Sequence, residues 1–466
     1  MTDLADLGAV ELVAGYRRRQ FSPVEAVTAV LARAEALNPK LNAFILLDAE
    51  SALAAARQSE GRWKTGAPVG RLDGVPVSIK DLLLTKGWPT LRGSKLSSRD
   101  QKWTEDAPAP ARLREAGAVL FGKTTTPEFG WKALGDSPLT GVTRNPWAVA
   151  HTSGGSSAGA AAAIAAGIAP LAIGTDGGGS IRIPGSFCGI FGLKPTFGRV
   201  PAFPPSYFGT VAHVGPMTRS VADAALMLTV VAGPDDRDPW AVPPDNKDFT
   251  LGLDQAITGI KIGYSPTLGY ARVHPEVREA VDRAAQALTD LGASVEAIDP
   301  GFANPRDAFT TLWTSGAARL LSGFPAQAHA QMDPGLVAAA KFGATKSAAD
   351  YVGAEQIRAE IGQTMIAFHR RHDLLLTPTV AVPALAVGHD LHDPRQEDQW
   401  IDWTPFSYPF NMTRQPAATI PCGVTKAGLP IGFQLVGRHH DEGTILRVAR
   451  AYEAAHPFAR PKALAS

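Results

Sequence analysis

The chain has 466 residues, 45% of them hydrophobic and 19% charged, with Lys+Arg 45 against Asp+Glu 44. That balance is too apolar for a disordered chain and too close to neutral to recruit nucleic acid or an acidic membrane surface. Two cysteines, Cys188 and Cys422, make neither a disulfide framework nor a CxxC metal or redox pair, so both read as small core residues in a reducing, cytoplasmic setting.

The opening Met1-Thr2-Asp3-Leu4-Ala5-Asp6 is acidic and lacks the basic-then-apolar order of a secretory signal. Leu4, Leu7, Val10, Leu12 and Val13 recur near helical spacing, and the first 60 residues read as helical. Ser22-Pro23-Val24-Glu25 reads as a capping box with Pro23 at the first helical position. The helix it opens is expected to stop near Leu37, before Asn38-Pro39. Residues 75–80 form a strand, 112–116 close a helix, 119–121 are a buried strand, 157–166 a helix and 171–173 a strand. From Asn145 to Thr175 there is no Asp, Glu, Lys or Arg. The apolar half of that stretch is mostly Ala and is interrupted by Pro170, so it reads as buried helix, turn and strand, not as a span of about 20 strongly apolar residues. Further elements are a helix over 220–232, a strand over 260–264, an amphipathic helix over 275–291 and strands over 294–296, 374–377, 418–420 and 431–436. A last helix runs over 442–455. Residues 233–246 read as a long surface loop, 300–350 as an Ala-rich helical region, and 385–403 as a polar loop near a pocket. Helices alternating with short β-rich runs imply an α/β fold in which a sheet is covered on both faces by helices.

Two Gly/Ser clusters stand out: Ser153-Gly154-Gly155-Ser156-Ser157-Ala158-Gly159, and Gly174-Thr175-Asp176-Gly177-Gly178-Gly179-Ser180-Ile181-Arg182. Such clusters cost chain entropy, and imply backbone that a Cβ would forbid and amides free to bind. Tight turns are the plainest explanation. A phosphate cradle fits poorly, because no Gly-Lys-Ser/Thr triplet ends either cluster and the Gly-x-Gly-x-x-Gly spacing fails. The remaining reading is acyl transfer, a serine nucleophile beside amides that bind an oxyanion. Gly155-Ser156-Ser157-Ala158-Gly159 matches a nucleophile elbow with Ser157 as nucleophile and His439 or His440 as partner, but the strand before it is poor, since Asn145-Pro146-Trp147 begins a loop and not a clean buried run. Lys80 is the other candidate base: it ends the apolar strand, and alternation puts it on the face of Ser78.

Taken in order, Gly74-Val75-Pro76-Val77-Ser78-Ile79-Lys80-Asp81, Gly154-Gly155-Ser156-Ser157, the cluster 174–182 and Cys188-Gly189-Ile190-Phe191-Gly192-Leu193-Lys194-Pro195-Thr196 closely resemble the amidase signature family. The dense match covers about residues 68–200. A second block, about 403–455, with Phe410-Asn411, Pro416-Ala417 and 428–434, also resembles the family. The resemblance implies one amidase domain over 1–466, with a mixed central sheet sandwiched between layers of helices. It implies Ser180 as nucleophile, Ser156 as bridging serine after a cis peptide, and Lys80 as base. Ser157, Asp176 and Arg182 would support them, and Gly177, Gly178 and Gly179 would supply oxyanion-hole amides. Phe129 and Trp131 are candidates for the substrate pocket. No metal and no organic cofactor are implied; the expected partner is a small amide, neutral or aromatic, with related esters or carbamates as further substrates. Oligomeric state stays open, a homodimer included. Lys80 has to be neutral to work, about 3 units below its reference value, or roughly 4 kcal/mol supplied by burial. Ala158 and Arg414 stand where many members have Gly, and Ile183 where the glutaminase subunit of an aminoacyl-tRNA amidotransferase commonly has Gln. Such a glutaminase, an α/β-hydrolase esterase using Ser157, and a catalytically silent binding protein are the alternatives.

Overall fold

The computed structural model describes residues 3–461. Met1 and Thr2 of the opening sequence, and residues 462–466 of the 1–466 span, lie outside the described residues. Among the described residues the strands in chain order are β1 (Phe44–Leu47), β2 (Pro76–Lys80), β3 (Val119–Thr124), β4 (Asp136–Ser137), β5 (Gly141–Val142), β6 (Arg144–Asn145), β7 (Ala148–Thr152), β8 (Leu171–Asp176), β9 (Phe191–Lys194), β10 (His213–Thr218), β11 (Lys261–Tyr264), β12 (Ser294–Ala297), β13 (Leu374–Pro378), β14 (Ala417–Val424) and β15 (Pro430–Gly437). Eleven of them form one mixed sheet in the order β1-β3-β2-β8-β10-β9-β14-β15-β13-β11-β12, while β4–β5 and β6–β7 are separate two-stranded ribbons.

Side-chain alternation divides the sheet's two faces between different sets of helices. On β3, Val119 and Phe121 pack with Val27, Val30 and Ala34 of helix Pro23–Leu41 and with Ala52 and Ala56 of helix Ala49–Thr65. Leu120, between them, joins Val77, Ile79, Leu171 and Ile173 in the cluster that takes in helix Val221–Val231. This is the expected α/β architecture, a mixed sheet with helices on both faces.

The Ser22 cap forms as anticipated: Glu25 N donates to Ser22 Oγ at 3.2 Å and Ser22 N donates to Glu25 Oε2 at 2.7 Å. Its helix does not stop near Leu37; it runs through Pro39 to Leu41 and ends on Asn42 in a left-handed conformation (φ 51°). The Ala-rich helix Ala158–Ala165 is buried at every position because its small side chains admit close neighbours. A Cβ on Gly159 would sit 2.0 Å from Ala43 O. Among the described residues no helix is long and apolar enough to cross a membrane.

Candidate active site

Parallel strands β2 and β8 pair with Ile79 opposite Ile173, so their ends bring Lys80 and Thr175 together. Lys80 is fully buried. Its Nζ lies 2.7 Å from Ser156 Oγ, 2.9 Å from Ser157 Oγ and 2.8 Å from Thr175 Oγ1. None of these partners is a carboxylate. Burial pushes the lysine well below its ordinary pKa, and the field of Asp176 opposes this without cancelling it.

Ser156 and Ser157 come from the loop between β7 and helix Ala158–Ala165. The Gly155–Ser156 peptide is cis. A side chain at Gly155 would meet Leu134 O at 2.2 Å, so this position admits only glycine. Ser157 Oγ donates to Thr175 O at 3.1 Å and accepts from Thr175 N at 3.2 Å, while Ser157 N donates to Ser180 O at 3.0 Å. Its hydroxyl partners are thus Lys80 and Thr175, and no imidazole is among them. His439 Nε2 instead sits 2.8 Å from Thr413 O, and β7 pairs with β6 outside the central sheet. Contrary to the sequence reading, a strand, β7, does precede this turn, but it belongs to a two-stranded ribbon and not to the central sheet, so the nucleophile elbow's setting is not reproduced.

Ser180 is 6% exposed, in the turn that joins β8 to helix Arg182–Cys188. The turn is clamped from inside by Asp176 and Arg182, both with fully buried side chains. Arg182 Nε and Nη2 each donate to the Asp176 carboxylate at 2.9 Å. Nη1 also donates to Ser407 O at 3.0 Å and Gln434 Oε1 at 2.6 Å, and Nη2 to Asn411 Oδ1 at 2.6 Å. All five guanidinium donors are therefore used. Burial alone would raise the Asp176 pKa, but Arg182, Lys194 and Asn411 outweigh it and hold the carboxyl far below the usual range.

Asp176 also alters the expected set of oxyanion donors. Gly179 N donates to Asp176 Oδ1 at 2.7 Å, so that amide is already engaged. The amides of Gly177, Gly178 and Ser180 have no acceptor among the described residues. Gly179 has φ 122°, and a Cβ there would lie 2.5 Å from Ile183 Cδ1. Gly179→Ala is expected to cost about 1–3 kcal/mol in urea unfolding and to lower turnover, because the displaced turn carries Ser180.

A cavity of about 190 Å³ opens at Ser156, Thr175 and Gly177, while Lys80 and Ser180 are not among its lining residues. Ser156, Thr175 and Gly177 line it together with Phe129, Phe203, Phe208, His213 and Trp313. Trp131 is not in this wall; its carbonyl accepts from Trp313 Nε1 at 2.9 Å behind it. The polar 385–403 stretch lines a different cavity, with Tyr270 and His274. Sequence reasoning gave no role to Thr175, Asn411, Gln434 or His213. Thr175 lies inside the 174–182 cluster, and Asn411 and Gln434 lie in the C-terminal block, but their contacts with Arg182 left no local signal. His213 Nδ1 is 2.7 Å from Val211 O, and burial pushes its pKa well below the usual value. No group of three or more His, Cys, Asp or Glu that could hold a metal ion occurs among the described residues.

The family model described as Amidase matches residues 25–446. The chain is 36% identical to an acylamidase of Rhodococcus erythropolis, over 98% of this chain and 97% of that protein. It is 37% identical to a glutamyl-tRNA(Gln) amidotransferase subunit of Geobacter metallireducens, over 99% of both. It superposes on the crystal structure of a bacterial aryl acylamidase of the amidase signature family with a TM-score of 0.91 and 31% identity, covering 97% of this chain and 96% of that one. The chain belongs to the amidase signature family of amide-hydrolysing enzymes.

Proposed function

We propose that Ser180, Ser156 and Lys80 act as nucleophile, proton relay and base in hydrolysing the C–N bond of a small amide. The observation that carries this reading is a buried lysine amine without a counter-ion among the described residues, 2.7 Å from the Ser156 hydroxyl at the foot of a largely apolar cavity. A neutral amine has two N–H donors and one lone pair. Ser157 gives its own proton to Thr175 O, so it accepts one N–H from Lys80, and Thr175 Oγ1 accepts the other. The lone pair is left to accept the proton of Ser156.

Ser180 Oγ attacks the carbonyl carbon, and a C–O bond forms as the π pair moves onto the carbonyl oxygen. The Ser180 proton passes to Ser156 Oγ while the Ser156 proton passes to Lys80. The amides of Gly177, Gly178 and Ser180, rather than that of Gly179, are the donors to the oxyanion. Collapse breaks the C–N bond, and the leaving nitrogen takes a proton back through Ser156. Water then repeats the sequence on the acyl-Ser180 ester, releasing the acid and restoring the enzyme. The aromatic cavity wall favours aryl or apolar amides, and esters and carbamates share the same acyl chemistry. The acylamidase relatives support this substrate class. A reaction with an aryl anilide, acid-quenched and digested, tests the reading: the acyl mass is expected on the peptide carrying Ser180, and its appearance on Ser157 would overturn the assignment.

The amidotransferase relatives favour a second reading, the glutaminase part of a tRNA amidotransferase. Ile183 after Arg182 and the apolar cavity favour a stand-alone enzyme. The isolated chain is expected to turn over simple amides, and activity only on glutamine, only inside an assembly, would favour the alternative. Strands from both ends of the chain share one sheet, which supports a single amidase domain over 1–466, and Cys188 and Cys422 as free thiols fit the cytoplasm.

The pH profile follows from Lys80. Its pKa is lowered, so the neutral amine predominates above that lowered value and the ammonium below it. kcat/KM is expected to rise with pH through the lysine titration and to stay high into mildly alkaline buffer. A profile flat from about pH 5 to 9 with chemistry rate-limiting counts against the assignment.

A further inference from the structure

The cavity over Ser156 is walled mainly by hydrocarbon, yet Arg92 opens onto it and is the only lysine, arginine or carboxylate among its lining residues. Arg92 is half-buried, and its guanidinium makes one long hydrogen bond, Nη1 to Thr90 O at 3.3 Å. Among the described residues no carboxylate lies within 4.0 Å of it. The nearby acid, Asp81, is already engaged: Lys123 Nζ is 3.5 Å away and Leu91 N donates to it at 3.2 Å. Asp81, Lys123 and Arg92 together leave one positive charge uncompensated beside the cavity. Burial pulls the Arg92 pKa down, and only Asp81 and Tyr207 act against it.

The backbone shows that this side chain is held on the wall. Arg92 has φ 56° and Phe129 has φ 51°, in the left-handed region that non-glycine residues avoid. Phe129 N donates to Arg92 O at 2.7 Å, and Arg92 N to Asp81 O at 3.1 Å. Two bonded, left-handed residues thus both face one cavity, and such outliers concentrate where a site needs a particular side chain. A guanidinium with most of its N–H groups free, on a partly dehydrated wall, is matched by the planar fork of a carboxylate.

We propose that Arg92 binds a carboxylate on the substrate, so that the preferred amides are apolar or aromatic molecules that carry one acidic group. The inference rests on the proposed hydrolysis at Ser180, with the substrate in the cavity that Ser156 and Gly177 line. Acetanilide, 4-acetamidobenzoate and N-phenylsuccinamate place no carboxylate, one on the amine side and one on the acyl side. The wild type is expected to show kcat/KM at least about tenfold higher on one of the two acids than on acetanilide, and Arg92→Gln to collapse that ratio. Arg92→Lys should restore part of it. Arg92→Gly, which suits the left-handed backbone, should behave like Arg92→Gln and separates lost charge from misfolding. Benzoate binding by calorimetry is expected to weaken about tenfold or more in Arg92→Gln. Equal benzoate affinity in both proteins, or an acid preference that survives in Arg92→Gln, overturns the proposal even if acyl-Ser180 forms. Weakened benzoate binding with no acyl-Ser180 on any amide would instead sustain Arg92 as the anion site and remove the hydrolytic reading.

Discussion

Ser180→Ala is expected to lower kcat/KM on any amide substrate by about 10⁴-fold or more while leaving the urea midpoint near that of the wild type. The reason is local: a single hydroxyl on a residue 6% exposed, in a turn already held by Asp176, contributes little to folding. Lys80→Met should be nearly as inactive near neutral pH, since it keeps the buried stem and removes the amine bonded to Ser156. Ser156→Ala breaks the same proton path. Ser157→Ala is expected to be milder, on the order of tenfold, because its hydroxyl positions Thr175 and Lys80 and does not react. Steady-state kinetics on an aryl anilide, with the urea midpoint of each variant, check the ranking. If Ser157→Ala is the more damaging change and Lys80→Met keeps activity within about tenfold, the assignment of roles is wrong.

Asp176→Asn should be the most destabilising single change in the site. The carboxylate accepts from Arg182 Nε and Nη2, Asn411 Nδ2 and Gly179 N, all in fully buried surroundings. An amide turns one acceptor into a donor facing these N–H groups and leaves the guanidinium uncompensated. Removing one partner of a buried pair costs about 3–5 kcal/mol, a large share of a typical total of about 5–15 kcal/mol. The Asp176 pKa is far below the unfolded value, so its contribution is fully present above the unfolded carboxyl pKa and is lost as pH falls toward the folded one. Urea unfolding near pH 7 is expected to show the full loss, and the gap between wild type and Asp176→Asn to narrow in strongly acidic buffer. A midpoint unchanged within about 0.5 kcal/mol would exclude this role for the pair.

What was legible in the sequence depended on how local its cause was. Lys80, Ser156 and Ser180 sit in contiguous motifs whose spacing is set by strand ends and glycine turns, and the structure brings Lys80 and Ser156 within 2.7 Å. The capping box at Ser22 and the helix Glu442–Ala455 were readable for the same reason. Strand β10 was not: Gly215 and Pro216 look like loop, yet the strand lies inside the sheet between β8 and β9. The helix Arg182–Cys188 hides behind Pro184 and Gly185. In both, tertiary packing overrides local propensity. The clamp on Arg182 was invisible because Asn411 and Gln434 are 229 and 252 residues away. Arg414, which the resemblance marked as an expected glycine position, has φ 62°, in the left-handed region that favours glycine. Here Arg414 Nη2 donates to Thr210 Oγ1 at 2.8 Å, and the guanidinium lies over Phe197 at 5.2 Å.

The guanidinium of Arg182 has a temporal consequence for a protein made from its N-terminus onward. By the time residue 200 is synthesised, the nascent chain already carries its lysine and both serines. The groups that receive Arg182 at Ser407, Asn411 and Gln434 follow it by 225, 229 and 252 residues. Until then the Ser180 turn lacks these anchors on its far side, so the proposed site is expected to gain competence only after they are made. A fragment cut before residue 407 would hold Lys80, Ser156 and Ser180, the side chains proposed to react, and is expected to be inert.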